Sequence, residues 1–303
     1  LLSGKKQEPL STNEISLLWR GLFYAVWLSD KPLVQQELSL KVAQLVHVFD
    51  GDFATTNALN FLRIFYSTLA REWRGLDDLR LDKYFFLMRC ILKESFQWLK
   101  NRNFDEFSIS SYTAVLTKGP LTAAALTTPR AITFHTCDAF LDELHDVVGN
   151  NFGGQQLLLL LQPFLLLLST TDEKVLRKKV VDSVLEPLLT RWLPKPTATT
   201  TTTTTTTSAE VDSDAEEIEQ FATDLGDFAD SLFSLASARS GTREECRRFL
   251  YTMSARFRRA HQKYERQLQV ATNPTTTTTA VDSSSSSNEE EDTAAAATTT
   301  TTT

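Results

Sequence analysis

Cysteine is scarce in this 303-residue chain, and its three copies, Cys90, Cys137 and Cys246, lie far apart. That spacing excludes a disulfide framework and any CxxC or Cys/His metal-ligand signature. Each cysteine falls on or near the apolar side of an expected helix, where a free thiol acts as a small hydrophobe. The chain therefore reads as reduced and intracellular. Histidine (four copies) and glycine (ten) are also sparse, leaving little from which to build metal or nucleotide sites. No glycine-rich phosphate loop, GxSxG elbow or HExxH occurs. His135 and Cys137, two apart, point to different sides of a helix, and His145-Asp146 meets the same objection. No signal peptide is evident. The leucine run Leu157–Leu168 is interrupted by Gln162 and Pro163 and is shorter than the ~18 apolar residues of a membrane span. It reads as part of a buried helix pair. The first residue is Leu rather than Met, which reads as a fragment or a chain lacking its true start.

Strand signals are missing as well: no stretch alternates with period two between hairpin turns. What is present is helical periodicity. Ser11 and Glu14 form a possible capping box ahead of Ile15, Leu18, Trp19, Leu22, Phe23 and Val26, spaced three and four apart. Asp30-Lys31-Pro32 breaks this helix and starts the next, with Asp30 able to cap and Pro32 tolerated in a first turn. Val34, Leu38, Val42, Leu45 and Phe49 stripe the second helix, which Asp50-Gly51-Asp52 ends. Leu62, Phe65, Tyr66, Leu69 and Trp73 mark a third helix stopping near Gly75, and Tyr84, Met88, Ile91 and Leu92 a fourth. Further helices are expected around 104–116, 134–148, 155–169 and 175–192. About eight helices with short connections predict an all-α fold of helical hairpins stacked as an armadillo/HEAT-like repeat domain.

Composition divides the chain into a helical-repeat domain at 1–192, a Thr-rich linker at 193–207, a helical appendage at 208–270 and a low-complexity, disordered tail at 271–303. Thr199–Thr207 is unbroken threonine, with too little apolar surface to offset the entropy of ordering. In the appendage, Ile218, Phe221, Leu225, Phe228, Leu232 and Leu235 form one apolar stripe. Cys246, Leu250, Met253, Phe257, Ala260 and Tyr264 form another, with Gly241 between them. The two arms are free to pair with each other or to dock on the main domain.

The formal net charge of −7 is unevenly spread. Up to Trp192, 21 Lys and Arg balance 21 Asp and Glu, so a general nucleic-acid surface is excluded there and any RNA contact is local. Ser208–Leu232 is acidic and Arg243–Arg266 basic. The cluster Arg71, Glu72, Arg74, Asp77, Asp78, Arg80, Asp82, Lys83 reads either as a solvated, ion-paired corner or as a set of arginines presented to a carboxylate or phosphate. Arg177, Lys178 and Lys179, with Arg256, Arg258 and Arg259, are locally unbalanced and are the candidate phosphate contacts, against the commoner solvated-face reading. The five tryptophans, Trp19, Trp27, Trp73, Trp98 and Trp192, default to core packing, with Trp27 placed to join a partner surface.

The block LWRGLFYAVWLSDKPLVQQEL (Leu18–Leu38) resembles the signature of the ribosomal RNA-processing protein 1 family. The likeness continues in REWRGLDDLRLDKYFFLMR (Arg71–Arg89) and, more loosely, in His135–Val147 and Leu161–Leu189. Thr242–Arg259 is similar to the closing helix of that family's folded part. The poly-threonine insert and the Thr/Ser/Ala tail are not features of the family. The resemblance implies a non-catalytic nucleolar factor of early pre-60S particles, without cofactor, small-molecule substrate or membrane attachment. It would bind other large-subunit assembly factors and pre-rRNA and be needed for pre-rRNA processing. On this reading Trp27, Asp30, Lys31, Pro32, Arg71, Arg74, Arg80 and Lys83 are the candidate partner contacts, and Arg177, Lys178, Lys179, Arg256, Arg258 and Arg259 the candidate rRNA contacts. A helical-repeat adaptor unrelated to ribosomes is the alternative.

Overall fold

The computed structural model describes residues 9–124, 128–149, 152, 154–190, 225–238 and 242–272, with side chains as far as Arg266. The expected linker, the tail from Asn273, Trp192 and the first part of the acidic arm lie outside them. Among the described residues the structure is helical and contains no strand.

Helix α1 (Thr12–Leu28) starts at a complete capping box: Ser11 N donates to Glu14 at 2.8 Å and Glu14 N to the Ser11 hydroxyl at 3.3 Å. Ile15, Trp19, Phe23 and Val26 are its buried stripe, while Leu18 is turned outward. Helix α2 (Pro32–Gln44) begins differently from the expectation. Lys31, not Asp30, is its N-cap, and no side chain caps it. A residue preceding proline is driven to extended dihedrals, here φ −84° and ψ 127°, so Lys31 becomes the half-in position and Asp30 falls one residue outside.

Helices α3 (Ala54–Glu72), α4 (Asp78–Lys100), α5 (Glu106–Lys118), α6 (Arg130–Val148) and α7 (Gly154–Thr170) follow. Aspartates cap α4 and α5: Asp77 accepts from Arg80 N, and Asp105 from Ser108 N, each at 3.0 Å. Pro163 sits within α7 without ending it. The next helix, α8 (Lys174–Val180), passes through a π turn (Val181–Leu185) into α9 (Glu186–Thr190). Pro187 has no N–H for the Ser183 carbonyl, and Glu186 N donates five residues back, to Val181 O. Helix α10 covers 225–237 and α11 runs Glu244–Thr272.

The packing has a simple rule: α1 lies on α3, α3 on α5 and α5 on α7, while α2 lies on α4, α4 on α6 and α6 on α8 and the π turn. Hairpins therefore stack in two layers, an all-α helical-repeat architecture in which each unit buries its apolar stripe against the next. Aromatic rings fill the core, with Trp19 against Phe61 and Phe65 at 4.6 and 4.9 Å, and Phe140 edge-on to Phe96 and Phe164. The Trp19 indole N–H donates to Phe61 O at 2.8 Å.

The hairpin α10–α11 closes the end of the stack. Its arms pair through Phe228 and Phe257, whose rings are 4.6 Å apart, and through Arg258 and Asp230 at 2.6 Å. A Cβ at Gly226 would come within 3.3 Å of the His261 ring, so glycine permits this approach. Helix α11 lies on α7, and its buried side chains are continuous with the main core. Arg243 N donates to Ser169 O at 3.2 Å, and the guanidiniums of Arg243 and Arg256 pair with Asp172 and Glu186.

Candidate functional site

The corner that the sequence singled out is built from the end of α1, the start of α2 and the first turns of α4. The last carbonyls of a helix have no partner within it. Here Lys83 supplies one: its ammonium donates to Trp27 O at 2.7 Å and Ser29 O at 2.8 Å. A cation at a helix C-terminus also complements the macrodipole. Next to it, the Tyr84 hydroxyl donates to Phe23 O at 2.9 Å, with the two rings stacked at 4.7 Å. Gln35 Nε2 closes the corner from α2, donating to Ser29 O at 2.8 Å.

Lys83 is only 6% exposed. Burial pushes its ammonium below the usual lysine range, helped by Arg80, and Asp30 and Asp77 pull the other way. Arg80 caps the indole of Trp27, its guanidinium carbon 4.6 Å from the ring centroid, and pairs with Asp77. Trp27 is thus half-buried between the core and Arg80, while Asp30, Lys31 and Pro32 are exposed. Sequence reasoning missed the neighbours of this corner: Leu28, Leu33 and Leu79 are 74, 79 and 93% exposed. They fall off the apolar stripes of their helices, and a leucine outside its stripe beside a helix break was the available signal.

The charged cluster Arg71–Lys83 is divided by the fold. Arg80 and Lys83 face the Trp27 corner. Arg71 and Arg74 instead line a cleft of about 710 Å³ with Arg63, Trp73, Lys118 and Pro129. Arg63 lies two turns before Arg71 in α3 and Lys118 ends α5, 47 residues after Arg71, and spacing gave no sign of either.

The candidate rRNA contacts have varied surroundings. Arg177 is 9% exposed, donates to Thr171 O at 3.1 Å and Cys246 Sγ at 3.5 Å, and lies 3.6 Å from Glu245, at the seam with α11. Lys179 is half-buried and pairs with Asp138 at 2.6 Å. Arg256 pairs with Glu186 across the same seam. Lys178 and Arg258 are exposed with one carboxylate each, Asp182 and Asp230. Arg259 is exposed and has no ion pair among the described residues.

The histidines and thiols are held structurally. His135 Nε2 is 2.9 Å from Phe85 O, its ring 4.4 Å from that of Phe85. Burial lowers its pKa from 6.5. Burial pushes the Cys90 and Cys137 thiols up to about 12, far from a nucleophilic thiolate at neutral pH. Among the described residues, no group of three His, Cys, Asp or Glu is placed to hold a metal. No helix among them is long and apolar enough to cross a membrane.

A two-layer stack of helical hairpins, with a tied-down first corner and a separate cationic cleft, defines an all-α helical-repeat protein. The particular family follows from comparison: the model of the nucleolar protein family Nop52 matches residues 1–297, and the chain belongs to that family. It is 41% identical over 139 residues to human ribosomal RNA processing protein 1 homolog B, covering 46% of this chain and 18% of that protein. Mouse homolog A is 43% identical over 136 residues, 45% of this chain and 26% of that protein. The homolog from Dictyostelium discoideum is 28% identical over 290 residues, 90% of this chain and 57% of that protein. The aligned part of the chain thus spans from under a fifth to just over half of these relatives.

Proposed function

We propose that this chain is the folded body of a non-catalytic nucleolar assembly factor. On this reading it acts on early large-subunit precursors, holds other assembly factors and pre-rRNA, and is needed for pre-rRNA processing. Membership of a nucleolar family and the printed names of its relatives support the setting in rRNA processing. The observation that carries the scaffold role is the first corner. Three exposed leucines adjoin it in sequence, Leu28 next to Trp27, Leu33 next to Pro32 and Leu79 next to Arg80, on a backbone that Lys83, Tyr84 and Gln35 fix in place. Exposed apolar residues with a polar rim on a rigid support suit a protein partner. Arg80, stacked on Trp27, belongs to this surface; Lys83 acts beneath it. Of the cationic candidates, Lys178, Arg258 and Arg259 are available to rRNA at the surface, whereas Arg177, Lys179 and Arg256 act through the carboxylates and carbonyls they hold.

The test is sucrose-gradient sedimentation of the tagged chain after depletion of the endogenous protein. The wild-type chain is expected to cosediment with large-subunit precursors and to prevent accumulation of their rRNA precursors. Leu28→Asp with Leu33→Asp and Leu79→Asp is expected to leave the gradient's precursor fractions while remaining folded. A wild-type chain that runs free of these particles, with precursor levels unchanged on depletion, would instead favour an adaptor unrelated to ribosomes.

A further inference from the structure

The cleft beside α3 has the makings of a binding site in its own right. Arg63, Ser67, Ala70 and Arg74 recur along one side of α3 and the turn that ends it, and the α5–α6 connection supplies Lys118, Gly119, Thr128 and Pro129 opposite. Ser67 and Ala70 are small, and this is why the surface sinks between the arginines. Gly119 contributes to the wall for a steric reason: a Cβ there would lie 2.9 Å from Val115 O and 3.2 Å from the Tyr66 Cβ. Thr128 fixes the connection by donating its hydroxyl to Gly119 O at 3.1 Å.

The charge in this cleft is of one sign. Arg63, Arg74 and Lys118 are exposed and have no ion pair among the described residues. Arg63 is oriented without being neutralised: it donates to Asn60 Oδ1 at 3.3 Å and Thr12 Oγ1 at 3.4 Å. Only Arg71 is paired, through its Nε to Glu72 at 2.8 Å, which leaves its terminal nitrogens unoccupied by that bond. Cations gathered along one cleft of an otherwise neutral body make a local positive potential that favours an anionic ligand.

Their spacing selects the kind of anion. Arg63 and Arg74 are eleven residues apart, roughly 16 Å at 1.5 Å per residue. Cations spread along that length suit a chain of phosphates, one for each cation, better than a single anion. Trp73, half-buried against Phe85 with ring centroids 5.5 Å apart, adds an aromatic wall between the cations. A groove with regularly placed cations and an aromatic side chain suits a single nucleic-acid strand, whose bases stack while its backbone follows the charge.

We propose that this cleft binds single-stranded RNA, with Arg63, Arg74 and Lys118 on successive phosphates, Arg71 beside them and Trp73 against a base. The proposal deepens the rRNA-associated function above and rests on it for the choice of RNA over other polyanions. It assigns RNA to a site distinct from the basic segments at 177–179 and 256–259.

The experiment is fluorescence anisotropy of a labelled ten-nucleotide single-stranded RNA titrated with the full chain at several salt concentrations. Arg63→Ala combined with Arg74→Ala and Lys118→Ala is expected to weaken binding by tenfold or more. The slope of log affinity against log salt should become shallower by about 2, given ~0.7 per phosphate contact on single strands. Arg20→Ala with Lys174→Ala and Lys263→Ala removes equal charge from exposed positions outside both basic sites and is expected to change binding far less. Should the triple variant melt early, Arg74→Glu alone carries the same expectation. Equal losses in both triple variants, or no loss in the cleft variant, overturn the site. So does displacement of the RNA by a phosphoserine peptide at lower concentration than by unlabelled RNA. If the chain cosediments with large-subunit precursors yet binds no RNA, the cleft proposal falls and the scaffold function stands. Cleft-dependent RNA binding by a chain that runs free of those particles supports the cleft and sinks the scaffold function.

Discussion

Lys83 holds the Trp27 carbonyl at 2.7 Å across 56 residues of sequence, and so a lysine of α4 terminates α1. The positive group that a sequence reader places on the surface is therefore a structural plug. Its methylene stem lies in the corner and its ammonium satisfies carbonyls that no backbone N–H reaches.

Replacing Lys83 with Met keeps the stem and removes the donor. The carbonyls of Trp27 and Ser29 would then lose a charged partner at a site 6% exposed. We expect a loss of about 1–3 kcal/mol, seen as a lower urea midpoint with unchanged slope. A variant within ~0.5 kcal/mol of the wild type would mean that water replaces the ammonium freely.

Trp19 tests the core beneath the same helix. Trp19→Ala removes a fully buried ring that touches Phe61 and Phe65 and is expected to cost about 3–5 kcal/mol. Trp19→Phe keeps much of the ring contact but loses the hydrogen bond to Phe61 O, and should cost less. The order of the two midpoints in chemical denaturation is the readout; a reversed order contradicts the packing described.

His135 gives the fold a pH dependence of predictable sign. Burial, with Arg89 and Lys179 adding to it, lowers its folded pKa below 6.5, against the pull of the Phe85 carbonyl and Asp138. Between the lowered value and 6.5 the unfolded chain binds more protons, so stability falls as pH falls through that window. Above 6.5 the ring is neutral in both states and the effect vanishes. Urea midpoints at about pH 7.5 and 5.5 should differ more for the wild type than for His135→Gln. Equal differences would show that His135 does not carry the effect.

The terminal hairpin should melt with the body. Phe257 is buried at the seam with α7, beside Leu157 and Leu161. Phe257→Ala is therefore expected to lower one cooperative transition by about 3–5 kcal/mol rather than to create a second, earlier one. Separate transitions by tryptophan fluorescence and far-ultraviolet circular dichroism would show that α10 and α11 fold apart.

Much of this was legible in the sequence because helical repeats write their core as local periodicity. The Ser11–Glu14 box, the positions Ile15, Trp19, Phe23 and Val26, and the apolar stripes that carry Phe228 and Phe257 could be read from spacing, whereas the meeting of those two rings could not. The Asp30 cap could not, because the proline one residue after Lys31 decided which residue was half in the helix. The roles of Lys83 and Arg177 were hidden for a different reason. Both look like surface charge, and only tertiary contact reveals that they bond carbonyls at 2.7 and 3.1 Å. The cleft was hidden too, since Arg63 and Lys118 come from separate hairpins that meet only when α3 lies on α5.

The π turn between α8 and α9 has a consequence for how this chain tolerates change. One residue more than an α-helix needs turns everything after it by roughly 100°. That offset brings Leu188 to the core and Glu186 to Arg256. Deleting Ser183 would remove the extra residue, turn the segment after it back by the same angle and swing both side chains away from the terminal hairpin. A single missing codon there would loosen the far end of the stack without removing any of the residues that hold it.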